Sequence, residues 1–463
     1  MSELVRYLTP PEAAESVTAY ASELGITEFA AVRNLDYVFS PWELYPLAPR
    51  VEGDLDWIVA FAVDMDGTST TTEPLALHAL EYMVRRFTDR MAREDWPGLD
   101  PEKDYPYVIG NSNFRHTEFL VERYRDDLSL DALRSAFFES LLWTLANMED
   151  PRRRDDVRAT AIMCGVGAVL EDPQFLALAG SGDVDEESLP FRVEPFVRRY
   201  GARFRCRTLS EIVSAALDIY YMRYHSILRK VEAGRGHELS RELLGEGGRR
   251  LIEPMPGYAV FVALVKGWLG ERAGDLYHEL VCGSSDKHPV WLPPERKGRA
   301  RLASLGRRFQ HSPAKIALVT ASIAYEAHAV VKEVFSVMRE QVAEWPLPKS
   351  ERRKLIELFG DHTAVYDGFV NAGDSSEARL KPHRDLYSIA LYQMSIPKHD
   401  YCRCVGIEDT EPGIIALRAA GVGCAVALPN RDTSGQDYRA ASRVIRGGLP
   451  ELILGHNLLL REE

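Results

Sequence analysis

The chain has 463 residues, which at roughly 100–200 per domain allows two or three domains around sizeable cores. Hydrophobic residues make up 46% and charged residues 27%, a composition that excludes wholesale disorder. With 56 Lys and Arg against 69 Asp and Glu the net charge is −13. Such a chain lacks the broad positive field that draws nucleic acid or an anionic membrane, so neither is expected as a partner.

In chain order, residues 11–25 predict a helix, opened by Pro10-Pro11 and closed by Leu24-Gly25. It belongs to an N-terminal extension, residues 1–50, expected to pack against the core. Residues 26–56 are mixed and rich in aromatics and proline, and carry no clear period. Trp57-Ile-Val-Ala-Phe-Ala-Val63 reads as a short strand buried on both faces. Like the other apolar runs it falls far short of the ~20 residues that span a bilayer, and the N-terminus has no apolar signal region. The strand stops at Asp64-Met65-Asp66-Gly67-Thr68.

Residues 73–249 predict a helical domain. Leu77, Leu80, Met83, Val84, Phe87 and Met91 recur at three- and four-residue spacing, and 129–148, 157–170, 208–232 and 238–244 are similar. Arg152-Arg-Arg154 reads as a solvated loop, and Tyr220, Tyr221, Tyr224 and His225 as packing residues along one helix. Gly245-Glu-Gly-Gly248 and Pro254-Met-Pro-Gly257 mark the exit. Beyond it, helices at 258–269, 299–309, 323–343, 349–359, near Pro382 and at 412–420 alternate with apolar runs. These runs are Lys315–Val319, Ala364–Val370, Cys402–Ile407 and Val422–Leu428. Apolar strands alternating with helices predict an α/β fold: a doubly wound, Rossmann-like parallel sheet formed by 51–72 and 250–463, with the helical domain inserted. The six cysteines, Cys164, Cys206, Cys282, Cys402, Cys404 and Cys424, make no CxxC pair and have no zinc-finger spacing to His. Cys402 and Cys404 read as two core thiols on one strand face. A reducing cytoplasm is the expected compartment, and no feature sets an oligomeric state.

Ligands of open parallel sheets bind beyond the carboxyl ends of the strands. Asp64 and Asp66 follow the first buried strand, where two carboxylates suit a cation or acid–base work; a solvated turn is the plainer reading. Thr320 follows Val319, where a hydroxyl and free backbone N–H groups can hold an anion, or where Thr320 or Ser322 simply caps a helix. Lys381 precedes Pro382 at a helix start, a place the helix dipole does not favour for a cation. Glu408 and Asp409 follow Val405-Gly-Ile407 and open the next helix, where acids are stabilised in any case.

Taken in order, the segments DMDGT, KIALVT, ARLKPHRDLY and CRCVGIEDTEPGIIALRAAG resemble the haloacid dehalogenase-like (HAD) hydrolase superfamily. The fourth looks most like the phosphatase and phosphoglucomutase-like branch. The resemblance covers about 51–68 and 250–463. It implies that Asp64 is a nucleophile forming an aspartyl-phosphate and that Asp66 is the general acid and then base. Thr320 and Lys381 would hold and neutralise the phosphoryl group. Asp64, Asp409 and the backbone of Asp66 would bind Mg²⁺, with Glu408 a direct or water-mediated ligand. Gly67, Thr68 and Ala321 would adjoin the substrate, and residues 73–249 would be an unusually large helical cap. Within that cap, Arg115 and His116, in a polar stretch before a helix, can reach a phosphorylated substrate or be ordinary helix-entry residues.

An acid at Asp66 disfavours carbon–halogen cleavage, because dehalogenases of the superfamily lack it. The resemblance thus implies a Mg²⁺-dependent phosphatase acting on a small phosphorylated metabolite. A phosphomutase on the same core is the alternative, as is a catalytically idle platform for a partner, although all five motif residues are present. Ser69-Thr-Thr-Thr-Glu73 departs from the branch, which has a hydrophobic residue and an Asp-Ser pair there.

Overall fold

The computed structural model describes residues 8–34, 38–52, 55, 57–110, 112–244, 250–282, 291–375, 379–456 and 458–459. Gly245–Gly248, half of the predicted exit from the helical domain, lies outside the described residues. The chain forms two compact units. One comprises Met1–Ser69, Pro254–Ile323 and Phe335–Glu463; the other comprises Thr70–Glu253 and Ala324–Val334.

The first unit holds a hairpin of β1 (Glu28–Arg33) and β2 (Trp42–Leu47) and a six-stranded sheet. The sheet strands are β3 (Ala60–Asp64), β4 (Lys315–Val319), β5 (Gly368–Val370), β6 (Cys404–Glu408), β7 (Cys424–Ala427) and β8 (Arg443–Val444). Their order is β5-β4-β3-β6-β7-β8 and every pairing is parallel. This is the doubly wound α/β architecture expected from the alternating pattern. β3, β6 and β7 are buried at every position, as a sheet covered on both faces requires.

The period-2 alternation of β3 decides what covers each face. Ala60 and Ala62 meet a cluster that includes Leu386, Tyr387 and Leu391 from the helix Asp385–Gln393, and Ile414 and Leu417 from the helix Glu411–Ala419. Phe61 points the other way, its ring 5.1 Å from Phe261 and 6.3 Å from Phe309 on the helices Tyr258–Val265 and Glu295–His311. Small residues let the first pair of helices come close. A Cβ on Gly406 of β6 would lie 2.5 Å from Leu417.

The hairpin occupies part of the stretch that showed no clear period. Val32, Tyr45 and Leu47 bury against Ala419. Buried Arg418 donates to the Ala48 carbonyl (3.1 Å) and pairs with Glu28 (2.7 Å). The helix Pro10–Glu23 buries none of its side chains. Two thiols on one strand face are not found. β6 begins at buried Cys404, whereas Cys402 is exposed in a 3₁₀ turn, Lys398–Arg403, whose polar side chains favour solvent over a sheet.

Among its described residues, the elements of the second unit are helices. The helices Glu73–Thr88, Leu130–Asn147 and Leu209–Glu232 pack on one another at its centre. The last is opened by a capping box of Thr208 and Glu211, and buries Tyr220, Tyr221, Tyr224 and His225. The arginine run is not a solvated loop. Asp150 caps, and Pro151 opens, a helix that continues to Met163, and Arg153 is buried on it against Asp218 (2.7 Å) and over the Tyr221 ring (4.0 Å). The cap-plus-proline signal outweighs the charge run.

His78 is expected to make this unit acid-sensitive. Its Nε2 accepts from the Arg223 guanidinium (3.1 Å), which also pairs with Glu186 (2.6 Å). Burial first, and then Arg223 and Arg85, hold its pKa down to about 4. The unfolded chain takes up this proton near pH 6.5, before the folded one does. Stability should therefore fall between about pH 6.5 and 4, by roughly 2 kcal/mol after allowance for partial exposure. Thermal midpoints at pH 7 and 4.5 should separate less in His78→Gln, which keeps an acceptor but has no proton to gain. An unchanged separation would assign the acid sensitivity elsewhere.

Candidate active site

Sheet order places the candidate residues. β4 and β5 lie to one side of β3, and β6, β7 and β8 to the other, so the winding reverses between β3 and β6. At such a reversal the loops leaving the strands diverge and open a crevice. β3 ends there on Asp64 and β6 on Glu408.

The Lys381 ammonium enters this crevice from the segment preceding the helix Asp385–Gln393. It donates to Asp64 and to Glu408 Oε1, the latter at 2.7 Å. The Tyr387 hydroxyl donates to the same Glu408 oxygen at 2.5 Å. The other Glu408 oxygen accepts from the Asp409 and Thr410 backbone N–H groups (3.2 and 3.3 Å) and the Thr410 hydroxyl (3.1 Å). Glu408 is therefore engaged by protein groups on both oxygens and holds the Lys381 ammonium in place. Asp409 accepts from the Thr68 hydroxyl (2.9 Å) and the Asn430 side-chain amide (2.8 Å), and its carbonyl lies 2.5 Å from the Tyr438 hydroxyl. Gly67, with φ +80°, brings the chain so near that a Cβ would stand 2.5 Å from Asp409 Oδ2.

Glu408 explains the glycine after Glu411-Pro412, Gly413. A Cβ there would overlap the Glu408 carboxyl group. In a helix interior Ala is better than Gly by ~1 kcal/mol. Gly413→Ala should nevertheless destabilise the fold, by about 1–3 kcal/mol of overpacking, and so lower the thermal midpoint. A stabilised variant would show that Glu408 has room to move.

Asp66 is turned to a different task. Its Oδ2 accepts from the hydroxyls of Thr320 (2.8 Å) and Ser322 (3.3 Å), and it is half-buried where Asp64 is buried. Thr320 in turn accepts from the Ser322 N–H at 2.9 Å, and the helix starts only at Ala324. Ala321 is half-buried against the core. Thr68 is buried and directed at Asp409. Arg115 and His116 lie in the second unit on the helix Asn113–Arg123, which Ser112 caps by accepting from the Arg115 N–H (3.4 Å); His116 is buried.

The electrostatics favour a cation. Asp64, Glu408 and Asp409 are all buried and can each offer an oxygen within 4.8 Å of the others. Asp64 is held well above the usual carboxylate range, first by burial and then by Glu408, with Lys381 pulling the other way. Burial works against the charge on Lys381, but Asp64 and Glu408 outweigh it and keep the ammonium protonated. Burial and then Glu408 raise the Tyr387 phenol far above its ordinary value, so it remains a donor. Three clustered carboxylates, two of them on one ammonium, make a hard, oxygen-only set that a divalent cation would suit.

Sequence reasoning passed over Tyr387, Asn430 and Tyr438, and read Ser322 only as a helix cap. Asn430 lies just beyond β7 as Thr320 lies just beyond β4, so the strand-end rule applied to Val422–Leu428 reaches its neighbourhood. Tyr387 is six positions after Lys381, in the segment already singled out. Ser322 shares the strand-end loop of Thr320; Tyr438 carries no comparable signal.

No protein-family model matches the chain, and no curated protein matches it. Among solved structures it is similar to CbbY from Rhodobacter sphaeroides in complex with phosphate, at 14% identity and TM-score 0.37, over 84% of this chain and 93% of that one. A variant of that protein in complex with xylulose-1,5-bisphosphate matches at 15% identity, with the same TM-score and coverage. A hydrolase from Pseudomonas syringae matches at 12% identity and TM-score 0.34, over 85% of this chain and 96% of that one. No helix among the described residues is long and apolar enough to cross a membrane.

Proposed function

We propose that this chain is a Mg²⁺-dependent phosphatase of the haloacid dehalogenase-like type, hydrolysing a small phosphate monoester through an aspartyl-phosphate. One observation carries the reading. At the point where the sheet reverses, a buried carboxylate, Asp64, sits with a lysine and two further acids, while a second aspartate two positions on is held apart by two hydroxyls.

In this reading Asp64 attacks phosphorus, forming the Asp64 O–P bond as the bond to the leaving oxygen breaks. Asp66, presented by Thr320 and Ser322, gives its proton to that oxygen. It then takes one from the water that cleaves the acyl phosphate and regenerates Asp64. Lys381 offsets the charge of the phosphoryl group, and the Thr320 hydroxyl can turn from Asp66 to a phosphoryl oxygen. Asp64 and Asp409 would hold Mg²⁺, which when bound supplies the positive charge that lets an anionic nucleophile approach an anionic substrate. Glu408 and Tyr387 keep Lys381 in register.

The test is phosphate release from p-nitrophenyl phosphate and a panel of phosphorylated metabolites with Mg²⁺. Turnover should vanish with EDTA and return with added Mg²⁺. Calorimetry should show binding of Mg²⁺ to the parent protein and none to Asp409→Asn. A protein that neither binds Mg²⁺ nor turns over any monoester would be the idle platform instead.

A further inference from the structure

The segment that carries Lys381 has little regular structure of its own. Residues 380–384 run through turns and bends before the helix at Asp385 begins. Yet Lys381 must hold its ammonium between Asp64 and Glu408 in a buried crevice. Two side chains of β2, in the N-terminal hairpin, grip this segment. The hydroxyl of buried Tyr45 lies 2.6 Å from His383 Nδ1, and the two rings meet edge-on at 5.5 Å. Glu43 accepts from the Arg379 guanidinium at 3.0 and 3.2 Å, and Arg379 also donates to Asp385 at 3.1 Å. The grips fall two residues before and two residues after Lys381.

The two grips are joined. The Tyr45 hydroxyl also donates to Glu43 Oε2, at 2.7 Å. A phenol has one proton and a carboxylate can only accept, so that proton belongs to the Glu43 bond. His383 must then donate from Nδ1 to the Tyr45 oxygen, which fixes the imidazole's tautomer and orientation. Within the segment, the His383 N–H closes a turn on the Leu380 carbonyl at 2.9 Å, so a fixed ring also fixes the turn that contains Lys381.

We propose that Tyr45 and His383 are positioning residues for Lys381, and that the N-terminal hairpin is a working part of the active site. The inference rests on the phosphatase reading, in which Lys381 serves the phosphoryl group. Displacements of about 1 Å in such a group cost up to ~10²-fold in rate.

The experiment measures kcat and KM for p-nitrophenyl phosphate with Mg²⁺, alongside thermal midpoints. Tyr45→Phe keeps the ring and loses the hydroxyl; kcat should fall about tenfold with KM nearly unchanged and the midpoint close to the parent's. His383→Ala should fall equally. His383→Asn, whose side-chain nitrogen reaches the Nδ1 position, should recover most of the loss, and the double variant Tyr45→Phe/His383→Ala should be no worse than either single. Parental kcat in both single variants would overturn the inference. So would losses that only follow the midpoint and are not recovered by Asn. Asp64→Asn, run beside them, separates the two readings. If it is dead while Tyr45→Phe is unaffected, the positioning role alone is lost. If it is fully active, or if the parent has no turnover, the phosphatase reading falls and takes this inference with it.

Discussion

Asp64→Asn should abolish phosphate release, by at least ~10³-fold, without weakening the folded protein. The two halves of this result have one cause. Asp64 is buried beside Glu408 and Asp409, and burial and Glu408 both disfavour its ionised form. An amide of the same shape removes the nucleophile and also removes one of three crowded negative charges. Lys381 keeps Glu408 as a partner. In EDTA the thermal midpoint of the variant should therefore equal or exceed the parent's. Mg²⁺ should raise the parent's midpoint and leave the variant's unmoved, since a ligand stabilises only the fold that binds it. A variant that melts well below the parent in EDTA would mean that Asp64 helps hold the fold together and that the crevice is not charge-strained.

Lys381→Met should produce the opposite pattern. It leaves Asp64 and Glu408 buried together without the ammonium that now touches both. Breaking a buried pair from one side costs about 3–5 kcal/mol, because an uncompensated charge remains. The midpoint should fall by roughly 10 °C. Mg²⁺ should restore more stability in this variant than it adds to the parent, since a divalent ion can replace the missing charge but not the hydrogen bonds. Turnover should stay low even at saturating Mg²⁺. Melting curves with and without Mg²⁺ decide the matter; a variant as stable as the parent in EDTA would show that the carboxylates are not ionised together.

Sequence reasoning reached furthest where one local pattern had one physical outcome. Runs such as Lys315–Val319 are too short and too uniformly apolar for a surface helix, and they became central strands. Asp64 and Glu408 close such runs, so their placement at strand ends followed directly, and Asp409 and Thr320 are each one residue beyond a strand end. The residues missed are those whose role depends on a partner far along the chain. Tyr45 reads as one aromatic in a featureless stretch until β2 sets it against His383, 338 positions away. Arg153 looks solvated until Asp218 and Tyr221 surround it. The resemblance places Glu408 beside the cation, and the structure does group it with Asp64 and Asp409; the five donors directed at its two oxygens had no signal in the sequence.

The helix Glu411–Ala419 and strand β6 are keyed together by two glycines, Gly406 under Leu417 and Gly413 against Glu408. A methyl group at either position would have to displace the Leu417 or the Glu408 side chain, so substitution at both should be disfavoured as sequences diverge. Acids near strand ends are too common across proteins to trace ancestry by themselves. A glycine two residues before the acid and another five residues after it form a spacing that records a physical fit. Distant kin with unrecognisable insertions should still display it, and a homologue bearing bulk at both places would have had to rebuild its acidic crevice.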